Sequence, residues 1–199
     1  YEMLRSLVGS EMCIRDSLIT IFTLFTGILC CLYYKNHWTP CYDFGIFAQM
    51  FHYMKETGLP LTTCERDGLL NHFTVHFSPV FYLLLPFYCM APSPCTLLFL
   101  QCLVVAGGTV PLVLLAKKHG LSNAVALAFA ALYLLHPAML GGCFYYLHEN
   151  NFLAPLILWL LYFGEKEKTI PTLLFAGLLL TVKELSLIHI SEPTRLLSI

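Results

Sequence analysis

Asp43, His72, His76, His148 and Glu149 carry most of the reactive chemistry in an otherwise apolar chain. Carboxylates and imidazoles at the edges of apolar segments serve as proton-transfer groups, metal ligands or ligand contacts. Asp43 lies in an aromatic setting, Tyr42-Asp43-Phe44-Gly45-Ile46-Phe47. It either caps a helix beginning at Phe44 or acts as a general base or metal ligand. His72 and His76 are four residues apart, which on a helix would set two imidazoles on one face as a metal pair. Against that, Phe77-Ser78-Pro79 starts a helix near His76, and an isolated interfacial histidine is the plainer reading. His148-Glu149-Asn150-Asn151 combines turn-forming amides with an acid–imidazole pair, so Glu149 is a candidate for contact with a substrate or a metal. Lys117-Lys118 and the charged run 165–168 read as solvated turns, and Lys183-Glu184 as a local ion pair.

The elements that position these groups are membrane helices. Hydrophobic residues make up 58% of the chain and charged residues 12%, with a mean hydropathy of +0.72. A soluble domain is nearer half apolar and a quarter charged, so the composition indicates an all-α, polytopic transmembrane bundle. The formal net charge of −1 gives nothing for nucleic acid to bind, and the partner implied is membrane lipid. The nine cysteines include no metal-type CxxC pair. Most sit in apolar runs as small hydrophobes, while Cys41 and Cys64 lie in a polar loop that would allow a disulfide if it faces outside.

Apolar runs place spans at about 18–34, 95–116, 121–140, 152–163 and 169–182. The fourth is short. Residues 76–90 are apolar but too short to cross and carry Pro79 and Pro86, which suggests an interfacial or re-entrant helix. Phe44, Phe47, Met50, Phe51 and Met54 recur at helical spacing and predict an amphipathic helix lying in the interface. If 76–90 does not cross, Asp43, His76, His148 and Glu149 share one side. Lys117, Lys118, Lys166 and Lys168 then share the other, the inner side by the positive-inside rule. The first loop is therefore expected outside. Gly107-Gly108 inside a span favours close helix packing.

The two ends read differently from the rest. Back-translated, the segments 11–17 and 185–191 can be written as opposite strands of one DNA element, similar to a transposase-type sequencing primer. The expectation is that 1–17 and 185–199 are primer-derived and that 18–184 is a transmembrane fragment cut on both sides.

The motifs together resemble a bacterial family of uncharacterised membrane proteins, domain of unknown function 2079. The residues that carry this are 42–47 with Gln49, Asn71 followed by His76-Phe77-Ser78-Pro79, Pro92-Ser93-Pro94 with Thr96-Leu97-Leu98 and Gln101, Pro111-Leu112 through Lys117-Lys118, His148-Glu149, and Val182-Lys183-Glu184. His148-Glu149-Asn150 departs from the His-Pro-Glu order expected there. That family is in turn similar in topology to the membrane C-type glycosyltransferases, which place an acidic residue in an outer first loop with interfacial helices. The resemblance implies an enzyme of the bacterial cell membrane that moves a sugar from a polyprenyl-phosphate donor to an acceptor on the outer face. A transporter or a non-catalytic membrane component is the alternative. It implies Asp43 as the catalytic residue and Asn71, Gln49, His76, His148 and Glu149 as substrate contacts. A divalent metal ion, if used, would be held by Asp43, His76 and Glu149.

Overall fold

The computed structural model describes residues 2–38, 43–66 and 68–183. Three helices are long and apolar enough to cross a membrane: Met12–Lys35, Pro94–Lys118 and Asn123–Tyr145, of 24, 25 and 23 residues. The first lies within α1 (Glu2–Lys35); the second is α4 (Pro94–Gly107) continued by α5 (Thr109–Lys118); the third is α6 (Asn123–Leu135) continued by α7 (Pro137–Tyr145). At 1.5 Å per residue each exceeds the ~30 Å hydrocarbon layer. The all-α membrane bundle expected from composition is the fold observed.

Local chemistry sets the helix boundaries. Pro94 opens α4 behind Ser93, whose Oγ accepts from the Cys95 N–H at 3.3 Å. Ser122 caps α6 in the same way, accepting from the Val125 N–H at 3.4 Å. Pro137 cannot continue α6, so α7 starts there with His136 Nδ1 accepting from the Ala138 N–H. At the α4–α5 joint a Cβ on Gly108 would strike the Tyr133 hydroxyl, and would lie 3.1 Å from Pro155. Gly108 is thus a close-packing position, as expected of Gly107-Gly108, while a Cβ on Gly107 would meet open space.

The first loop folds over one end of the bundle. It contains α2 (Asp43–Thr57), a two-stranded antiparallel ribbon pairing β1 (Leu61–Thr62) with β2 (Leu70–Asn71), and 3-10 turns at His72–Thr74 and Pro79–Leu83. It ends in α3 (Leu85–Met90). The predicted apolar face of α2 is real, but protein covers it rather than lipid: Phe44, Phe47, Met50, Phe51 and Met54 are all buried. The Phe51 ring sits 5.7 Å from Phe81 and 5.4 Å from Tyr88. Residues 76–90 form two short pieces that do not cross, so the loop enters and leaves at the same end.

The remaining helices, α8 (Leu153–Glu165) and α9 (Thr169–Leu180), have 13 and 12 residues. Each is shorter than the roughly 20 residues of a full crossing. α8 begins beside the extended segment after α7, where the His148 N–H reaches Gln101 in α4, and ends where Glu165 pairs with Lys118 at 3.1 Å. Gln101 lies seven residues into the span, about 10 Å along the helix from Pro94. α8 is short because it starts at that depth.

Residues 2–17 extend α1 without a break, with Met12 and Ile14 about half exposed. The DNA-level reading of 1–17 stands as a proposal beside this geometry, and 185–199 lies outside the described residues. The arrangement predicts that single cysteines at Leu69 and Lys166, on a background without native cysteines, label from opposite sides of the membrane. Labelling of both from one side would contradict it.

Candidate functional site

A polar cavity of about 140 Å³ opens at the loop-covered end of the bundle. Its walls come from four places: the start of α2, the ribbon and first 3-10 turn, the chain between α7 and α8, and the end of α9. Asp43, His76, His148 and Glu149, singled out from sequence, all line it. So do Glu65, His72, Tyr146 and Lys183.

Asp43 is the first residue of α2, where a carboxylate also benefits from the helix dipole. Its side chain reaches across the bundle: the Tyr146 hydroxyl donates to Oδ2 at 3.2 Å. Tyr146 follows the end of α7 in extended backbone, a break that leaves peptide groups unpaired inside an apolar protein. Gln101, fully buried in α4, satisfies two of them with one amide. Its Nε2 donates to the Tyr146 carbonyl at 3.0 Å, and its Oε1 accepts from the His148 N–H at 2.8 Å.

His148 caps the 3-10 turn Glu149–Phe152, with Nδ1 accepting from the Asn150 N–H at 3.1 Å. That bond places the ring proton on Nε2. Burial holds the imidazole below the ordinary histidine range, and the Lys183 and His76 charges push the same way against the opposing pull of Glu149 and Asp43. His148 is therefore uncharged at neutral pH, and its 3.5 Å approach to Glu149 is not an ion pair. Glu149 is 2% exposed. Its Oε1 meets Lys183 Nζ at 3.2 Å, while its buried Oε2 has no hydrogen-bond partner among the described residues. Lys183 is brought here because the Val80 N–H donates to the Thr181 carbonyl at 3.1 Å, tying the end of α9 to the loop.

On the opposite wall His72 Nδ1 lies 2.8 Å from Glu65 Oε2, both largely buried. Phe47 packs edge-on to the His72 ring and stacks on Tyr146, joining the two halves of the site. The His72 and His76 rings are 6.0 Å apart. Among the described residues no three His, Cys, Asp or Glu side chains are grouped to hold a metal ion. Asp43, His76 and Glu149 thus share a cavity without forming a ligand cluster.

Asn71 and Gln49 work elsewhere. Asn71 Oδ1 accepts from the Phe73 N–H at 2.9 Å and caps the first 3-10 turn. Gln49 binds Thr62 and Thr63, fastening α2 to the ribbon. Neither lines the cavity. Lys183 pairs with Glu149; Tyr42, Cys41 and Glu184 lie outside the described residues. Cys64 is a free thiol. Nothing in the spacing of Glu65 or Tyr146 pointed to the site. Gln101 did carry a signal, being an amide within an apolar span.

A family model described as predicted membrane protein (DUF2079) matches residues 37–191. The chain belongs to that family. Every described cavity residue of this DUF2079 member falls inside the matched stretch. No curated protein and no solved structure matches the chain.

Two outcomes follow. Gln101→Leu strands a buried carbonyl and a buried N–H, at about 1–3 kcal/mol each, and should lower the unfolding midpoint in detergent accordingly. Gln101→Leu with an unchanged midpoint would show that the break is held some other way. For His148, the folded pKa is depressed, so the unfolded chain binds more protons as pH falls below about 6.5. Stability is full above that pH and is lost as pH drops toward the folded value. His148→Asn, which keeps a capping oxygen, should flatten this slope in pH-dependent melting curves.

Proposed function

We propose that this DUF2079 chain is part of a glycosyltransferase-like membrane enzyme that moves a sugar from a polyprenyl-phosphate donor to an acceptor on the outer face. One observation carries the reading. An acid from the first loop and a His-Glu pair a hundred residues later share a polar cavity at one end of an apolar bundle. The opposite end carries Lys117, Lys118, Lys166 and Lys168 in two short turns, and reading that end as cytoplasmic by the positive-inside rule leaves the cavity outside.

In this mechanism the acceptor hydroxyl attacks the anomeric carbon while the bond from that carbon to the phosphate oxygen breaks. The lipid phosphate leaves with the bonding electrons, and the hydroxyl proton passes to Asp43. The Tyr146 hydroxyl orients that carboxylate. The resemblance would have an imidazolium offset the charge on the leaving phosphate, but burial keeps His148 uncharged. Lys183 is the fixed cation of the cavity and takes that role. His76 and Glu149 contact the sugar. A transporter would place ionisable groups along its spans, whereas here they gather at one end. A purely structural component would not require an acid, an imidazole and an ammonium to share one cavity.

Asp43→Asn keeps an oxygen to accept from Tyr146 and should fold and insert normally. Transfer from a polyprenyl-phosphate sugar in membranes should fall about a hundredfold or more, with expression level as control. Wild-type transfer by this variant would leave Asp43 a structural residue and remove the main support for the enzyme reading.

A further inference from the structure

The cavity is short of positive charge. Among its described lining residues three carboxylates, Asp43, Glu65 and Glu149, face one ammonium, Lys183, a formal balance of −2 before the three imidazoles are counted. Two of these carboxylates have a protein donor on a named oxygen: Tyr146 on Asp43 and His72 on Glu65. Glu149 is different. Lys183 occupies Oε1, but Oε2 is buried without a donor, and the nearby His148 Nδ1 is already an acceptor for Asn150. A buried carboxylate oxygen without a donor is costly, more so than a neutral group, and the cost is recovered when a ligand donates to it.

We infer that Glu149 Oε2 is the recognition point for a ligand bearing a protonated amine. A charge-assisted N–H···O bond is stronger than a hydroxyl bond to the same oxygen. An ammonium also reduces the charge excess of the cavity, which a neutral polyol leaves unchanged. The inference builds on the sugar-transfer reading by naming the class of one substrate: an amino sugar, or an amine-bearing acceptor.

The full chain in detergent micelles can be titrated with glucosamine, glucose and ethanolamine, using ligand-observed NMR suited to weak binding. The wild type should bind glucosamine about tenfold more tightly than glucose. Ethanolamine binding as tightly as glucosamine would identify the amine alone as the recognised group and point to the acceptor; weak ethanolamine binding would point to the sugar. Glu149→Gln should abolish the preference. Because that variant leaves Lys183 buried beside a neutral partner, Glu149→Gln/Lys183→Met serves as a second test. It keeps the cavity charge at its wild-type value but replaces the carboxylate with a neutral amide, and it too should lose the preference. Equal binding of glucosamine and glucose, no binding of either amine, or a preference that survives in the double variant would overturn the assignment. Amine binding without any sugar transfer by the wild type would remove the enzyme reading and leave this site standing.

Discussion

The structure depends on how an apolar bundle tolerates a stretch of irregular backbone in its interior. Between Tyr145 and Leu153 the chain leaves one helix and enters the next through an extended segment and a 3-10 turn. In a hydrocarbon setting such a segment survives only where protein or a polar cavity satisfies its peptide groups. Gln101 does this from α4, and the His148 ring does it for Asn150. The positions of Tyr146, His148 and Glu149 follow from those bonds. The polar site and the break in the helix are one feature, since the groups that line the cavity are those released from helical geometry.

The loop across from it is fixed by different means. Its aromatic and sulfur side chains are buried against one another, and its ribbon is held by Gln49 and capped by Asn71. This rigid cover presents Asp43, Glu65 and His72 to the opposite wall. Phe47 touches both sides, so packing in the loop sets the distance between two clusters of charge.

Much of the scaffold was legible in the sequence. Apolar run lengths placed five spans, and three of the helices are long and apolar enough to cross. The spacing of Phe44, Phe47, Met50, Phe51 and Met54 gave the buried face of α2. Charge at helix ends grouped Asp43 with His148 and Glu149. What covers α2 was not legible, because an amphipathic face reads the same whether lipid or protein lies against it. Partners separated by long stretches were also hidden: Tyr146 and Asp43 are 103 residues apart, and Lys183 meets Glu149. Asn71 and Gln49, expected from the resemblance as substrate contacts, instead bond within the loop.

α9 buries none of its side chains along its length, although Val182 just beyond it is wholly enclosed. The helix is pinned at its tip, and along its length Phe175 stacks on Trp159 and Phe163 of α8. With 12 residues it is also shorter than the hydrocarbon layer, so hydrophobic mismatch falls on it directly. Its tip carries Lys183. A change in bilayer thickness that tilts α9 therefore moves the ammonium relative to Glu149, and the lipid surroundings act as a mechanical input to the charge balance of the cavity.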